Sequence, residues 1–461
     1  MPIKLHPLAE EANVIIRNTN EAVFEMLSER GRAIYFPKTG IVGQSAEAKG
    51  KRINATIGIA LEDDGSPLRF RSIADKISLE PKDIFSYAPN HGKIELRKNW
   101  QENIRKKNPS LASAISLPIV TQALTHGLSM AGYLFINPGD KIVLTDKFWG
   151  NYRLLFENAY CGELATFNTF KGDGFDIESL KTAISEGTGP SFANPPAGEA
   201  GATAGKKKII LLNFPNNPAG YTPTEEEAEE IITAIGERAE AGDKLVVILD
   251  DAYFGLVYEA GVYQESLFSR LADLHENVLA IKVDGATKEE YAWGLRVGFL
   301  TYGSKGATED LYRALEDKTA GAIRGNVSNC SNLSQSLVLS ALASPDYETE
   351  KKEKYDLLKK RFNKVKEILA TGRYSELFSP LPFNSGYFMC IELAPGIEAE
   401  SARKLLLAKY STGVIAMKNL LRLAYSAVAE KDLPELFENI YQACLEIKLA
   451  QNAKVKSQNQ N

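Results

Sequence analysis

A lysine just beyond a strand end is the residue best placed for covalent chemistry. The apolar run Val278 to Val283 reads as a buried strand ending in the turn signal Asp284-Gly285; Lys288 follows, and Arg296 comes eight residues later. An amine so placed can form a Schiff base with an aldehyde cofactor, and the guanidinium can grip that cofactor's phosphate through paired hydrogen bonds. Asp250 closes a second apolar run, Leu245 to Leu249. A carboxylate there is costly to bury unless it meets a cation such as a protonated pyridine nitrogen; capping a helix is its plainer use. Tyr253, three residues on, could donate to a ring oxygen or simply pack. Asn217, between Asn216 and Pro218, could reach the same oxygen or only form a turn. Trp149, in the cluster Phe148 to Tyr152, offers a flat face to a bound ring or to the core. Arg422, inside the strand-like Leu421-Arg422-Leu423-Ala424, needs an anion: a substrate carboxylate or a structural partner.

These residues fall at the ends of elements that alternate regularly. From about 115 to 302 strand and helix patterns follow one another, which predicts an α/β fold with a mainly parallel sheet and helices on both faces. Ligands in such sheets sit beyond the carboxyl ends of the strands. The strands are expected near 118–122, 141–145, 207–214, 245–249, 278–283 and 297–302. Thr224 and Glu227 form a capping box for a helix to about Ala241. Thr125 falls at a helix start, where free N–H groups could take a phosphate. Residues 7–30 read as one helix, 31–52 as loops, and 54–60 as a strand in which Gly58 marks a bulge or a close backbone approach. Residues 186–206, rich in Gly, Pro, Ala and Ser, read as a surface insertion. Beyond 330 the pattern is α+β, with helices at 347–370, 400–409 and 433–449 and strands near 387–393 and 420–424; the polar 451–461 reads as a disordered tail.

The 461 residues suffice for two intimate domains, and 44% hydrophobic with 25% charged content is that of an ordinary globular protein. A net charge of -5 gives no sign of nucleic acid or an acidic membrane as partner. No apolar run reaches the ~20 residues of a membrane span, and the start of the chain has no apolar signal core. Four scattered cysteines form no CxxC pair or disulfide framework, so a cytoplasmic location is expected. Four histidines without an HExxH arrangement argue against a protein-bound metal.

Taken in order, Asn217-Pro218-x-Gly220, Asp250-x-Ala252-Tyr253, Lys288 and Arg296-x-Gly298 resemble the fold-type I pyridoxal-phosphate aminotransferases of class I/II. The resemblance runs from about Asn54 to Ala427. Further stretches are similar to the aspartate aminotransferase branch: Ile57-Gly58 before the turn Asp64-Gly65-Ser66-Pro67, Tyr87-x-Pro89-x-x-Gly92, Trp149-Gly150-Asn151, and Arg324-x-x-x-Ser328-Asn329.

The resemblance implies pyridoxal 5'-phosphate as cofactor, with Lys288 as its covalent anchor and the shuttle for the substrate's Cα proton. It implies that Asp250 pairs with the ring nitrogen, that Tyr253 and Asn217 contact the ring oxygen, and that Trp149 stacks on the ring. Arg296, Thr287, Thr125 and the backbone at Ala123 and Leu124 would hold the phosphate, with Tyr87 reaching that of a neighbouring subunit. Arg422 and Asn217 would bind the substrate's α-carboxylate beside Gly58 and Trp149, and Arg324 of the neighbour would take a side-chain carboxylate. A homodimer with shared sites follows. The implied division is an N-terminal segment at 1–85 contributing to a small domain, a large cofactor domain at 86–325, and the rest of the small domain at 326–450.

The implied reaction is amino exchange between an L-amino acid, with aspartate favoured by Arg324, and a 2-oxo acid such as 2-oxoglutarate, run as a ping-pong. An aromatic or broad-range aminotransferase is the alternative, followed by a β-lyase or decarboxylase on the same cofactor. A non-enzymatic sensor domain is disfavoured, because the first 50 residues hold no helix-turn-helix. The sequence departs from the family pattern in four places. Gly285 stands where many members have a phosphate-binding serine, Ala123-Leu124 replaces a small or glycine-rich cup, Ala219 replaces a common threonine, and Tyr152 stands where the aspartate branch often has a histidine behind the acid.

Overall fold

The computed structural model describes residues 5–19, 21–35, 40–75, 79–186 and 207–458. The expected insertion lies outside the described residues except for Glu186, which ends the helix Ile177–Glu186.

Seven strands make the main sheet: β1 (Ile119–Gln122), β2 (Lys141–Thr145), β3 (Glu163–Phe167), β4 (Lys207–Leu212), β5 (Lys244–Asp250), β6 (Val278–Asp284) and β7 (Val297–Gly303), in the order β1-β7-β6-β5-β4-β2-β3. The run from β6 through β5, β4 and β2 to β3 is parallel, and β7 alone opposes both its neighbours. Alternating residues of β5 enter separate cores: Val246 and Ile248 pack in one, Leu245, Val247 and Leu249 in the other. The helix Ala123–Phe135 covers the first face with Leu124, Leu128 and Ala131. The helix Glu225–Glu240 covers the second with Ile231, Ile232 and Ile235, and it starts in the expected Thr224–Glu227 capping box. Each fully buried Leu or Ile contributes about 1.5–3 kcal/mol, so both faces are held firmly.

The end of β5 carries two acids with opposite fates. Asp251 accepts from Ser266 Oγ at 2.6 Å and pairs with the Lys282 ammonium of β6, which is fully buried. Lys282 also lies 3.5 Å from Asp284, which accepts from Trp100 Nε1 at 3.0 Å. This is an interior network in which one ammonium serves two carboxylates. Asp250 takes no part in it.

A second sheet is antiparallel: β8 (Phe378–Pro380), β9 (Met389–Leu393), β10 (Ile415–Met417) and β11 (Leu420–Leu423), ordered β8-β9-β11-β10. The helices Tyr347–Ala370, Ala399–Lys409 and Leu433–Gln458 accompany it. Ile53–Asn54 returns from the N-terminal side to pair with Thr412–Gly413. Among the described residues no helix is long and apolar enough to cross a membrane.

Four local expectations are corrected. The helix expected over 7–30 is helical at Pro7–Thr19 and Glu21–Met26 among the described residues and is broken at Leu27 and Ser28, before Glu29–Ala33. Ser28 starts the new helix by accepting from Gly31 N at 3.0 Å. The region expected as loop contains the helix Ile41–Glu47. The strand expected over 54–60 stops at Asn54, whose side chain accepts from Thr56 N at 3.1 Å and Thr56 Oγ1 at 2.6 Å, a local turn that competes with pairing. The C-terminal helix continues to Gln458, past the point where composition suggests a tail. Gln451 fastens it by donating to the Gly396 carbonyl at 2.7 Å, and lysine, glutamine and alanine favour helix beyond that point.

Candidate active site

A cavity of about 240 Å³ opens beyond the carboxyl ends of β4, β5 and β6. It brings together nine of the residues singled out in the sequence: Lys288, Asp250, Tyr253, Asn217, Trp149, Thr125, Leu124, Gly58 and Arg422.

Asp250 is buried at 4% exposure. Its Oδ2 accepts from the Tyr152 hydroxyl at 2.5 Å, and its carbonyl accepts from Asn213 Nδ2 at 2.7 Å. Burial raises the acid to about 6, against the opposing pull of the Tyr152 hydrogen bond and the Lys288 amine. Oδ1 is buried and has no hydrogen-bond partner among the described residues. Lys288 is half-buried and faces the cavity, with its amine 5.3 Å from the centre of the Tyr253 ring. Burial lowers this amine to about 8; Asp250 works against the shift and Arg296 adds to it. The Lys288 carbonyl accepts from Tyr387 at 2.7 Å, which fixes the loop after β6.

Arg422 is 2% exposed and lies on β11. Its Nη1 donates to Asn217 Oδ1 at 3.3 Å and its Nη2 to the Thr56 carbonyl at 3.0 Å, while the guanidinium sits 4.3 Å from the Phe388 ring centre. No carboxylate pairs with it among the described residues, and its Nε is unbonded there, so an anion is the missing complement. Asn217 is held by its own N–H, which donates to Asn213 Oδ1 at 2.8 Å. Trp149 meets Tyr152 edge-on at 5.6 Å. A Cβ on Gly58 would lie 3.9 Å from Phe388, so packing does not demand glycine there; its bareness leaves the cavity open.

Thr287 and Ala123 are buried close by, at the loop after β6 and at the first residue of the helix Ala123–Phe135. Thr287 Oγ1 has no partner among the described residues. Gly298 lets β7 pass that helix start: a Cβ there would lie 2.6 Å from the Ala123 carbonyl carbon. Gly285 is similarly confined, its added Cβ falling 2.6 Å from the Val297 carbonyl oxygen. A serine thus has no room at 285 in this backbone, which explains that departure. Arg296 is exposed, with a left-handed φ of 55°, and donates to the Trp293 carbonyl at 3.2 Å.

Thr287, Ala123 and Arg296 are not among the residues that line the cavity, and two further expected residues stand apart. Tyr87 is 89% exposed, and Arg324 is exposed with Nη1 3.4 Å from Asn90 Oδ1; neither lines the cavity of its own chain. Seven cavity residues were not among those expected at the site: Ile41, Ser45, Thr56, Leu128, Asn213, Ala252 and Phe388. The first two carried no periodic signal, because the polar Gln44 and Ser45 interrupt any apolar helical period over 41–48.

The residues present fit a phosphorylated pyridine aldehyde. An unpaired buried carboxylate oxygen suits a ring N–H, an amine of lowered pKa suits an aldehyde, and a helix start with two threonine hydroxyls nearby suits a phosphate.

Comparison with known proteins points the same way. The family described as aminotransferase class I and II matches residues 52–440. A probable N-acetyl-LL-diaminopimelate aminotransferase of Bacillus subtilis is 25% identical over 294 residues, and the match spans 63% of each chain. A probable aspartate/prephenate aminotransferase of Thermus aquaticus is 25% identical over 368 residues, covering 77% of this chain and 83% of that protein. The crystal structure of an aminotransferase from Anaerococcus prevotii superposes with a TM-score of 0.77 at 25% identity, covering 90% of this chain and 98% of the other.

Proposed function

The chain belongs to the class I and II aminotransferases, pyridoxal-phosphate-dependent transaminases, and from that premise we propose that it exchanges the amino group of L-aspartate with 2-oxoglutarate. The observation that carries the reading is the shared cavity of Lys288 and Asp250, one a lowered amine and the other a raised acid with a free oxygen.

Bound pyridoxal phosphate supplies an aldehyde and a protonated ring that takes up electrons from the substrate's Cα. Asp250 would hold the ring N–H through its unpartnered Oδ1, while Tyr152 fixes its other oxygen. Tyr253 and Asn217 would meet the ring oxygen, and Trp149 would flank the ring. Thr125, Thr287, Arg296 and the backbone N–H groups at Ala123 and Leu124 would hold the phosphate. Arg422, steadied by Asn217, Thr56 and Phe388, takes the substrate's α-carboxylate and so aims the Cα–H bond. The Lys288 amine takes that proton and returns it on the way to product; with a pKa of about 8 a useful fraction is neutral near pH 7.

The side-chain carboxylate of aspartate meets Arg324 of a second copy, and Tyr87 of that copy reaches the phosphate. Their exposure on a single chain supports this homodimer. The Thermus aquaticus relative, named for aspartate and prephenate, supports a dicarboxylate substrate. One observation favours a second reading, aromatic or broad-range transamination: Ile41, Leu124, Leu128 and Phe388 line the cavity and carry no charge.

The test is turnover by purified protein with pyridoxal phosphate, comparing aspartate plus 2-oxoglutarate with phenylalanine or tyrosine plus 2-oxoglutarate. Arg324→Leu is expected to lower aspartate turnover at least ~10-fold and to spare phenylalanine. Unchanged aspartate turnover in that variant overturns the dicarboxylate assignment.

A further inference from the structure

We propose that the helix Ile41–Glu47, which precedes the family-matched stretch, widens the site to substrates with apolar or aromatic side chains; the inference rests on the transaminase reading above. Ile41 and Ser45 are four residues apart, on one helical face, and both line the cavity that holds Lys288, Asp250 and Arg422.

The helix is docked from another face. Gln44 is 9% exposed, and its side-chain amide bonds the backbone of Ala416 in both directions: Ala416 N donates to Oε1 at 2.7 Å, and Nε2 donates to the Ala416 carbonyl at 3.0 Å. Ala416 lies on β10, the edge of the small sheet, so one glutamine satisfies an edge residue as a further strand would. Glu47 adds an ion pair to Arg403 at 3.0 Å. Gly413 gives the chain room, since a Cβ there would lie 2.4 Å from the Ala48 Cβ.

The neighbouring strand supplies the argument for selectivity. β10 pairs with β11, and Ile415 stands opposite Arg422. The cation for the α-carboxylate and the Ile41–Ser45 face are therefore carried by one sheet, one strand apart. Their spacing follows from the β10–β11 pairing together with the Gln44 side-chain bonds to Ala416. With its carboxylate on Arg422, a substrate meets from this helix a branched alkyl group and a hydroxyl, and no charge. Leu124 and Leu128 continue the uncharged lining. An apolar or aromatic side chain gains buried area against Ile41, and a phenol can also find the Ser45 hydroxyl; a carboxylate gains from neither.

The experiment measures kcat/KM of the holoenzyme for phenylalanine and for aspartate, each with 2-oxoglutarate. It also measures binding of the unreactive carboxylates 3-phenylpropionate and succinate by tryptophan fluorescence. Ile41→Ala is expected to lower kcat/KM for phenylalanine about 10-fold and to change aspartate less than ~3-fold, with 3-phenylpropionate weakened and succinate unaffected. Gln44→Leu should reproduce that selectivity through KM, with faster backbone hydrogen exchange at 41–47. Equal losses on both substrates, or unchanged 3-phenylpropionate binding in both variants, overturn the proposal. Absence of turnover of any amino acid by the wild type would refute the transaminase reading, and the two carboxylates would still decide the role of the helix.

Discussion

The Tyr152 hydroxyl donates to Asp250 Oδ2 across 2.5 Å, and neither side chain is open to solvent. A phenol so deeply buried is held well above its ordinary pKa and stays protonated. It therefore always donates, and it leaves Oδ1 as the one face of the acid available to a ligand.

Tyr152→Phe removes the donor and keeps the ring. Asp250 then loses the hydrogen bond that holds its pKa down, and its value climbs above about 6. The variant should bind pyridoxal phosphate about 10-fold more weakly at pH 7, matching the ~1–2 kcal/mol of one charge-assisted hydrogen bond. The deficit should widen toward pH 6, and Tyr152→His, still able to donate, should recover most of it. Spectral titration with the cofactor between pH 5 and 9 checks this; equal affinity throughout would leave the bond a merely structural role.

Asp250→Asn separates function from stability. A carboxyl whose folded pKa is raised penalises the fold when it ionises. That penalty is absent below its ordinary value of 3.8, grows as pH rises through about 6, and is complete above. The cofactor-free variant should thus melt higher than cofactor-free wild type at pH 8 and at nearly the same temperature at pH 4. Turnover should fall at least ~100-fold, as when a fixed charge is withdrawn from a reacting centre. Calorimetry at the two pH values and steady-state assays test both halves.

For Lys288 the shift has the opposite sense. Burial disfavours its ammonium, so the amine is free above about 8. Capture of pyridoxal phosphate by cofactor-free protein should accelerate as pH rises toward 8 and level off beyond it. Stopped-flow absorbance reads this directly, and a rate independent of pH from 6 to 9 would count against the assignment. Lys288→Ala should develop no cofactor absorbance that survives gel filtration in amine-free buffer.

Gly285→Ser would install the hydroxyl many relatives use for phosphate. Here its Cβ would press on the Val297 carbonyl oxygen at 2.6 Å and on the Cα of Gly298 at 2.7 Å. The substitution should cost about 1–3 kcal/mol of stability and leave cofactor affinity no better. Thermal melts with and without cofactor decide it; tighter binding at an unchanged melting temperature would show that the backbone yields there.

What the sequence made visible follows a physical divide. Lys288, Asp250 and Arg422 sit at or within apolar runs that only buried strands produce, so their burial and convergence could be read in advance. Ile41 and Ser45 ride on a seven-residue helix flanked by Gly40 and Gly50, whose local composition says loop and whose stability comes from Gln44 and Glu47 reaching distant partners. Thr56 contributes its carbonyl, which no side-chain pattern signals. Tyr87 and Arg324 have the types expected of site residues, yet one chain leaves them on its surface.

Asp250 and Asp251 look interchangeable as letters, but the end of β5 sends them to opposite sides of the sheet. Asp251 belongs to Lys282 and has nothing left to offer a visitor. Converting it to asparagine would leave the buried Lys282 ammonium only the Asp284 carboxylate, 3.5 Å away, and would not touch the reaction, whereas converting its neighbour would relieve the interior and silence the reaction. One peptide bond thus separates a residue the chain needs in order to exist from a residue it needs in order to act, and an engineer tempted to treat the doublet as a spare would lose one or the other.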